Sequence, residues 1–285
     1  MKNNSIKITY VFLQGRKQRL ESNKNISKEF FYSYFYAKEK FEKVEIVEME
    51  NYEKKTSQYL LRKFDSLINK LTKLPIYTYA IFKKKNIKKF VDSDYIVFSN
   101  DRVAFSSLPL IWITRRRNPN VNMSFFVMGL FRNEEKYKIQ KVLRKILINY
   151  IFNKVDHVFY LGKEEYEIAK NIHLKYAKKF KFLPFSVDTD FWQSKSLKNT
   201  NEHILFIGND GNRDFDKLIE ISKILQEYKF IFVTNKIKKI DDLPLNVEII
   251  EGHWNYNVLS DEELKKIYQK SKLSIVPLKN SIQPS

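Results

Sequence analysis

Short apolar runs recur along the chain and alternate with longer segments in which the apolar residues follow a helical period. The runs are almost continuously apolar, which is typical of strands buried on both faces of a parallel sheet. They lie at residues 6–12, 44–47, 95–99, 124–128, 155–161, 181–184, 204–207, 230–234, 247–250 and 273–277. Helices are predicted between most of them, at residues 27–40, 134–153, 164–170, 213–227 and 261–272. The alternation predicts an α/β fold with covered parallel sheets.

A polar stretch at residues 193–202 separates the first six of these runs from the last four. We therefore predict two α/β lobes, at residues 1–185 and 204–285, with a linker at residues 186–203. The 285 residues suit two domains of ordinary size, and the hydrophobic content of 43% is enough for a sizeable core. A disordered or fibrous chain is excluded by the same composition.

The residue types present exclude several kinds of chemistry. Because the chain has no Cys, it can form no disulfide, thiolate nucleophile or Cys-ligated metal centre. The four His, at positions 157, 173, 203 and 253, lack the spacing of metal ligands, so we predict no metal site. No apolar run approaches the roughly 18 residues that span a bilayer, and no secretion signal is found. We predict a cytoplasmic protein, either free or peripheral on the inner face of the membrane.

The charge is divided unevenly along the chain. Residues 1–200 carry a net charge of +20, and residues 201–285 carry −1. A codon bias towards lysine would act on both parts alike, so a basic first lobe indicates an anionic partner. Arg115, Arg116 and Arg117 are candidates for a polyphosphate or a lipid headgroup, with a solvated loop as the alternative. Nucleic acid is the least favoured partner, because the aromatic residues follow strand and helix patterns.

One helical segment of the first lobe combines an apolar stripe with many lysines. The stripe has i, i+3, i+4 and i+7 spacing and consists of Leu60, Leu61, Phe64, Leu67, Ile68 and Leu71. Lysines flank it and follow it at Lys83, Lys84 and Lys85. Such a segment can lie on an anionic membrane surface, or its stripe can contact the core while its lysines are solvated, and both interpretations stay open here. A second helix, around residues 139–150, has the same pattern and is predicted to face the core on one side.

The sharpest local signal is the sequence HILFIGNDGNRDF at residues 203–215, a buried strand followed by a turn with two glycines and a helix. At such a turn, main-chain N–H groups and the helix dipole favour an anion. Gly208 and Gly211 would allow close approach of phosphate oxygens, and Arg213 would add a guanidinium. The alternative is an ordinary turn in which Asn212 or Asp214 caps the helix and Arg213 faces solvent.

Several segments together resemble one known family. The sequence LPFSVDTDFW at residues 183–192 resembles the interlobe segment of family 4-type glycosyltransferases of the GT-B fold, and residues 203–215 resemble the start of their donor-binding lobe. SIVPL at residues 274–278, with QPS at 283–285, looks like the strand and loop before the donor-sugar loop. FVMGL at residues 126–130 looks like the strand end at the acceptor cleft. The resemblance implies a GT-B-like fold, with two Rossmann-like lobes that face a cleft.

The resemblance also implies a function and a site. The activity would be transfer of a sugar of hexosyl type from a nucleotide-sugar donor to a glycan or lipid-linked acceptor, as in polysaccharide synthesis for the cell envelope. The donor diphosphate would lie at Gly208, Gly211 and Arg213, and the acceptor cleft near Gly15 and Gly129. An arginine and a helix N-terminus would neutralise the leaving diphosphate, so no metal ion and no other cofactor is implied. No catalytic residue is assigned by the sequence.

The chain departs from the family pattern at several positions. Ser186 stands where the family has Gly, Asn209 stands where many members have Arg, and no His follows the strand that ends at Met128. The sequence stops at Ser285, before the paired-glutamate motif E-x7-E of the family. This predicts an incomplete second lobe and an impaired transferase. The alternative is a non-catalytic binding or membrane-docking remnant of such an enzyme.

Overall fold

A computed structural model describes residues 3–22, 25–50, 58–131, 137–193, 202–237, 243–252 and 259–279. These residues form two units. The first unit contains the described residues of Met1–Lys17 and Lys28–Ser186, and the second contains those of Gln18–Ser27 and Val187–Ile282. The division after Ser186 lies at the start of the predicted linker. Residues 18–27 belong with the second unit, whereas the sequence predicts a continuous first lobe.

The first unit is built on a six-stranded parallel sheet with the strand order β2-β1-β3-β4-β5-β6. Its strands are β1 (Asn3–Phe12), β2 (Phe41–Glu48), β3 (Tyr95–Phe98), β4 (Asn122–Val127), β5 (His157–Tyr160) and β6 (Phe180–Phe182). The chain passes from β1 to β2 on one side and then returns to β3 on the other. The strand order therefore reverses between β1 and β3, the position at which α/β sheets usually bind ligands.

The helices of this part of the chain lie between the strands in sequence, and the first of them passes into the second unit at Gln18. They are α1 (Arg16–Ser22), α2 (Tyr34–Lys40), α3 (Tyr59–Thr72), α4 (Lys84–Val91), α5 (Asp101–Ser106), α6 (Leu108–Arg117), α7 (Lys138–Lys154) and α8 (Lys163–Ile172). Aromatic side chains fill the space between helices and sheet: Phe125 of β4 stacks on Phe152 of α7, and both are fully buried. Burial of such rings is the main source of stability in a core of this kind.

The helix predicted at residues 27–40 is interrupted, which corrects the sequence prediction. A 3-10 turn at Glu29–Phe31 is followed by Tyr32 and Ser33, whose φ angles are 46° and 64°, and α2 begins only at Tyr34. The ring of Tyr32 stacks on Phe126 of β4 with 4.4 Å between centroids. Positive φ angles at non-glycine residues are unfavourable locally, so contacts distant in sequence must stabilise this turn.

The other helix predictions agree better with the structure. Helix α7 confirms the helix predicted at residues 134–153, of which residues 134–136 lie outside the described residues. Helix α8 confirms the helix predicted at residues 164–170. In the second unit, the last predicted helix ends at Lys270, and the chain continues directly into a strand at Ser271.

The second unit contains a four-stranded parallel sheet with the order β10-β7-β8-β9. The strands are β7 (His203–Ile207), β8 (Phe230–Val233), β9 (Val247–Ile250) and β10 (Ser271–Ser274), and the helices are α9 (Phe215–Ile224) and α10 (Asp261–Lys270). Phe206 and Phe232 point to the face that α9 covers, whereas Leu205 and Ile231 point to the face that α10 covers. This sheet also reverses its strand order, between β7 and β10.

Helix α9 begins at Phe215, two residues later than predicted. Asp214 is its N-cap, and the Asp214 carboxylate accepts a hydrogen bond from the Lys217 N–H at 3.0 Å. Arg213 instead forms an isolated antiparallel bridge with Leu278. A carboxylate cap of this kind satisfies one of the free N–H groups of the first helical turn.

The predicted α/β class is confirmed, because each of the two units is built on a parallel sheet whose strand order reverses once, as in Rossmann-like folds. Each of the predicted strands overlaps an observed strand. In the part of the chain that the structure describes, no helix combines the length and the apolar character needed to cross a membrane.

Candidate functional site

The carboxyl edge of the first sheet opens into a cavity of about 530 Å³. Its wall includes Leu13 after β1, Asn100 and Asp101 after β3, and Met128 and Gly129 after β4. The cavity thus lies where the strand order of this sheet reverses, at the end of β1 and β3. Gly129, which the sequence analysis assigns to the acceptor cleft, is part of this wall.

Both glycines that were assigned to the acceptor cleft lie in turns that leave this edge. Gly15 follows β1 with a φ of 99°, and Gly129 follows β4 with a φ of 92°. Side chains rarely adopt these angles, so a glycine lets the chain turn sharply at the end of each strand. Gly15 is not among the residues that line the cavity, although Leu13 in the same turn is.

The turn that contains Gly129 is held by a buried carboxylate. Glu165 of α8 accepts hydrogen bonds from the N–H groups of Gly129 and Phe131, each at 3.1 Å. Arg144 of α7 donates to the carbonyl oxygen of Leu130 at 2.5 Å. Burial raises the pKa of Glu165, while the main-chain N–H groups act in the opposite direction. These contacts fix the cavity wall at the end of β4.

Asp101 is an acidic residue of the cavity wall, which it shares with the cations Arg102 and Arg144, and it was not predicted from the sequence. It is the first residue of α5, whose N-cap Asn100 accepts a hydrogen bond from Val103 N–H at 2.9 Å. Burial raises the pKa of Asp101 to about 6, and the negative charge of Glu165 contributes to the rise. Its own N–H and that of Met128 act in the opposite direction. The sequence did contain a sign of this site, since Asn100 and Asp101 directly follow the apolar run at residues 95–99.

Tyr32 extends this group of residues. Its hydroxyl donates to the sulfur of Met128 at 3.8 Å. Burial raises the pKa of Tyr32 to about 12, the positive charge of Arg16 opposes the rise, and the charge of Asp101 adds to it. The charged and polar groups of Arg16, Tyr32 and Asp101 are therefore close enough to influence one another at the carboxyl edge of the first sheet.

In the second unit, the turn of Gly208, Gly211 and Arg213 lies at the carboxyl end of β7, where the order of that sheet reverses. The Arg213 side chain passes over Gly208, where an added Cβ would come within 3.0 Å of Arg213 Nε. Gly208 thus makes room for the arginine, while the space around Gly211 is open. Arg213 Nε donates to the carboxylate of Asp210 at 2.7 Å.

The segment after β10 supports this turn. The N–H of Asp214 donates to the carbonyl of Pro277 at 3.0 Å, and the N–H of Lys279 donates to the carbonyl of Asn212 at 2.8 Å. The two motifs that resemble the donor lobe of the glycosyltransferase family, at residues 203–215 and 274–278, are therefore in direct contact. Asp214 acts as the cap that the ordinary-turn alternative expects.

Asn209 has a structural role at the position where many members of the family have arginine. Its side-chain amide donates to the carbonyl of Gly252 at 2.6 Å. Its side-chain oxygen accepts from the Thr234 hydroxyl at 2.9 Å and from the Asn235 N–H at 2.7 Å. Asn209 thereby connects the ends of β7, β8 and β9, and leaves Arg213 as the cation of the turn.

The arginines of α6 do not form the solvated loop that was considered for them. Arg115 donates to the carbonyl oxygens of Lys154 at 2.7 Å and Val121 at 2.6 Å, and pairs with Asp156 at 2.5 Å. Its guanidinium is thus used within the fold. Arg116 lies over the ring of Trp112 at 4.3 Å. These contacts give Arg115 a structural role in place of the polyphosphate role.

The histidines that the structure describes have structural neighbours. Burial lowers the pKa of His173 to about 4, and its Nδ1 lies 2.9 Å from the side-chain oxygen of Asn149. His203 contacts the Ser271 hydroxyl at 3.2 Å. Across the described ranges, no group of three or more His, Asp or Glu side chains could hold a metal ion. His253 lies outside the described residues.

No protein-family model matches the chain, and no characterised protein sequence matches it either. Several solved structures are similar to it, and three of them are described below. UGT89C1 of Arabidopsis thaliana, complexed with UDP-L-rhamnose, is 12% identical over 90% of this chain and 71% of its own, with a TM-score of 0.40. UGT73P12 of Glycyrrhiza uralensis, complexed with glycyrrhetinic acid 3-O-monoglucuronide, is 12% identical over 88% and 70%, with a TM-score of 0.41. The glycosyltransferase SnogD of Streptomyces nogalater is 9% identical over 87% and 74%, with a TM-score of 0.36.

Proposed function

We propose that this chain is a glycosyltransferase that moves a hexosyl group from a nucleotide-sugar to a hydroxyl group of a glycan or lipid-linked acceptor. The observation that carries the proposal is the cavity of the first unit, with the Asp101 carboxyl in its wall. A hydroxyl acceptor must lose a proton when it forms the new bond, and a base near its operating pH does this best. With a pKa of about 6, Asp101 is ionised at neutral pH and still holds a proton better than an ordinary aspartate.

The second unit would hold the donor through its diphosphate. The turn of Gly208, Gly211 and Arg213 lies at a reversal of strand order, the place where α/β sheets usually bind ligands. The N–H groups of Gly208 and Asp214 donate within the fold, so the guanidinium of Arg213 is the group that we propose for the anion. Asp210 binds Arg213 Nε and so orients the guanidinium. The leaving diphosphate would then be neutralised by Arg213 without a metal ion, since charge-assisted hydrogen bonds are about twice as strong as neutral ones.

The charge of the first part of the chain supports an anionic acceptor. Residues 1–200 carry a net charge of +20, which raises the local concentration of a negatively charged molecule near this unit. A lipid-linked glycan with a phosphate or diphosphate bridge has such a charge. We therefore propose an acceptor of this class, as used in the synthesis of polysaccharides for the cell envelope.

A specific observation favours a second candidate, a binding protein that has no turnover. The turn of the second unit already contains two carboxylates, with Asp210 bound to Arg213 and Asp214 on the first turn of α9. Their negative charges would oppose the further charge that builds up on the leaving diphosphate during transfer, so they would lower turnover more than binding of the intact donor. The deciding experiment incubates the chain with a panel of nucleotide-sugars and lipid-linked acceptors. Release of nucleoside diphosphate that depends on the acceptor supports the transferase, and donor binding without release supports the binding protein.

The role of Arg213 gives a direct prediction. We expect Arg213→Ala to weaken the binding of a nucleoside diphosphate by about 10- to 150-fold, because hydrogen bonds from a charged group are worth about 1.5–3 kcal/mol. The measurement is calorimetric titration with UDP and GDP. Arg116→Ala is the matched control, since Arg116 lies in the first unit over Trp112. Equal affinities of the Arg213 variant and the parent chain would reject the assignment.

A further inference from the structure

Helix α3 turns an apolar stripe towards solvent. Leu60, Phe64, Leu67 and Leu71 follow one another at intervals of four, three and four residues and are all exposed, Leu60 to 79%. Such spacing places the four side chains on one face of the helix. The opposite side faces the protein, where Ile68 packs against the core. Most of the stripe is therefore not in contact with the core, and the interpretation of the stripe as a membrane surface stays a prediction.

Asp65 explains why α3 has this orientation. The Asp65 carboxylate is buried and accepts a hydrogen bond from the N–H of Tyr79 at 3.2 Å. Thr72, buried on the same side, donates its hydroxyl to the carbonyl of Ile68 at 2.7 Å. Two polar side chains, Asp65 and Thr72, are thus buried on the side of α3 that faces the core, while the longer apolar stripe faces solvent. This reversal of the usual pattern indicates a surface that has a function.

Helix α7 lies beside α3 and has a stripe of the same kind. Ile139, Val142 and Ile146 are all more than half exposed, whereas Ile148 of the same helix is buried in the core. The helices are joined where the side-chain amide of Gln140 donates to the carbonyl of Lys70 at 3.1 Å. The prediction that this helix faces the core on one side is therefore confirmed. We call the exposed stripes together the two-helix face: Leu60, Phe64, Leu67, Leu71, Ile139, Val142 and Ile146.

Cations surround the two-helix face. The exposed lysines on these helices are Lys63, Lys70, Lys138, Lys141 and Lys145. None of them forms an ion pair with a carboxylate among the residues that the structure describes. Helix α7 contains no acidic residue, and the acidic residue of α3, Asp65, is turned inward. The face therefore combines apolar side chains with exposed lysines.

The lysines that follow α3 in the sequence have a different environment. Lys83 and Lys85 both pair with Glu50, and Lys89 pairs with Glu45 at 3.3 Å. The pKa of each glutamate is lowered by these lysines, although burial acts in the opposite direction. Lys83 and Lys85 share the single carboxylate of Glu50, which offsets one of their two charges, so these lysines attract an anionic surface less than the prediction from the sequence assumes.

We propose that the two-helix face docks on an anionic lipid bilayer. Exposed leucine, phenylalanine and isoleucine side chains enter the boundary between headgroups and acyl chains, while the lysines around them meet the anionic headgroups. The charge complementarity selects lipid over an uncharged partner, since a row of lysines would oppose burial in a dry protein interface. None of the residues of the two-helix face is assigned a role in the proposed transfer reaction, so the docking goes beyond that reaction and does not depend on it.

The test compares three variants of the whole chain in sedimentation with vesicles of phosphatidylcholine that contain phosphatidylglycerol. Leu60→Ser, Phe64→Ser and Leu67→Ser remove apolar contacts from exposed positions. Lys63→Gln, Lys70→Gln and Lys138→Gln remove three charges beside the face, and each should contribute roughly fivefold to binding. The control variant, Lys83→Gln, Lys85→Gln and Lys89→Gln, changes the net charge by the same amount away from the face.

We expect the parent chain to bind the anionic vesicles in a salt-sensitive way. The two variants of the face should lose binding by about 100-fold, and the control should change binding by less than fivefold. Equal binding to pure phosphatidylcholine, or an equal loss in the control, would overturn the proposal. So would a chain that dimerises through this face in sedimentation velocity while its binding to vesicles does not change in the serine variant. Circular dichroism of each variant verifies that the fold is kept.

Discussion

Replacing Asp101 by Asn is expected to reduce transferase turnover by about 100- to 10,000-fold, the range over which a general base usually contributes. The carboxylate lies in the wall of the cavity at the carboxyl edge of the first sheet, where an acceptor hydroxyl would lose its proton. Asn has the same shape but no basic oxygen of comparable strength. The measurement is the release of nucleoside diphosphate in the presence of acceptor, with Asp92→Asn as a control at an exposed aspartate.

The pH dependence separates a base from a residue that only shapes the cavity. Because burial raises the pKa of Asp101 to about 6, the carboxylate form grows as the pH rises through 6. The rate of the parent chain should therefore rise through this range and become level above about pH 7. The residual activity of Asp101→Asn should lack this limb. A variant that keeps the same limb would show that another group takes the proton.

The thermal stability of the chain provides a second readout, because the charged form of Asp101 that would act as the base is also the form that destabilises the fold. The pKa of Asp101 is raised above its ordinary value of 3.8, so the protonated carboxyl favours the folded state, and this contribution is lost as the pH rises through about 6. At pH 7.5 the folded chain therefore holds this charge at a cost. Asp101→Asn should melt at the same temperature as the parent chain or higher at pH 7.5. A lower melting temperature would mean that the loss of activity reflects misfolding.

The strands were predictable because burial on both faces of the sheet requires an uninterrupted run of apolar residues, which is visible in the sequence. Strand β8 has the sequence FIFV, and all four residues are buried. A strand in a parallel sheet with helices on both faces needs apolar residues at every position, so it stands out from helices and turns. The sharp turn after β4 was predictable for a related reason, since Gly129 follows the apolar run and glycine adopts the positive φ that such a turn requires.

The orientation of α3 could not be predicted from the sequence. Its apolar residues fall on two neighbouring faces, one with Leu60 and Phe64 and the other with Leu61 and Ile68. Periodicity identifies both faces but not the one that faces the core. The outcome depends on Asp65, whose carboxylate accepts the Tyr79 N–H in the folded chain. Periodicity reports an amphipathic helix, and the partners of its polar side chains determine which side is buried.

Asp101 and the break before α2 were missed for a common reason. The sequence around Asp101 is that of any polar turn, and its raised pKa exists only when the fold removes water from the carboxyl. The positive φ angles of Tyr32 and Ser33 likewise depend on contacts such as the stacking of Tyr32 on Phe126. Both features arise from parts of the chain that are distant in sequence, which local propensity does not record.

A buried ion pair in the second unit also joins residues that are far apart in sequence. Arg19 and Asp261 are separated by 242 positions and form an ion pair in which each side chain is only 2% exposed. The second oxygen of Asp261 accepts from the N–H of Ser27 at 3.0 Å and from its hydroxyl at 3.2 Å. The pair therefore joins the segment at residues 18–27 to the beginning of α10.

We expect Asp261→Ala to lower the free energy of unfolding by about 3–5 kcal/mol, because it leaves the Arg19 guanidinium buried without its carboxylate. Urea unfolding followed by tryptophan fluorescence measures the loss, with Trp192 in the same unit as a reporter. The double variant Arg19→Met with Asp261→Leu removes both charges and should recover most of the stability, since apolar groups often replace a buried pair at little cost. Glu220→Gln serves as the control, because its ion pair with Lys217 is exposed and should contribute less than about 1 kcal/mol. If Asp261→Ala were no more destabilising than Glu220→Gln, the pair would not hold the segment at residues 18–27 in the second unit, because only an uncompensated buried charge makes the single substitution so costly.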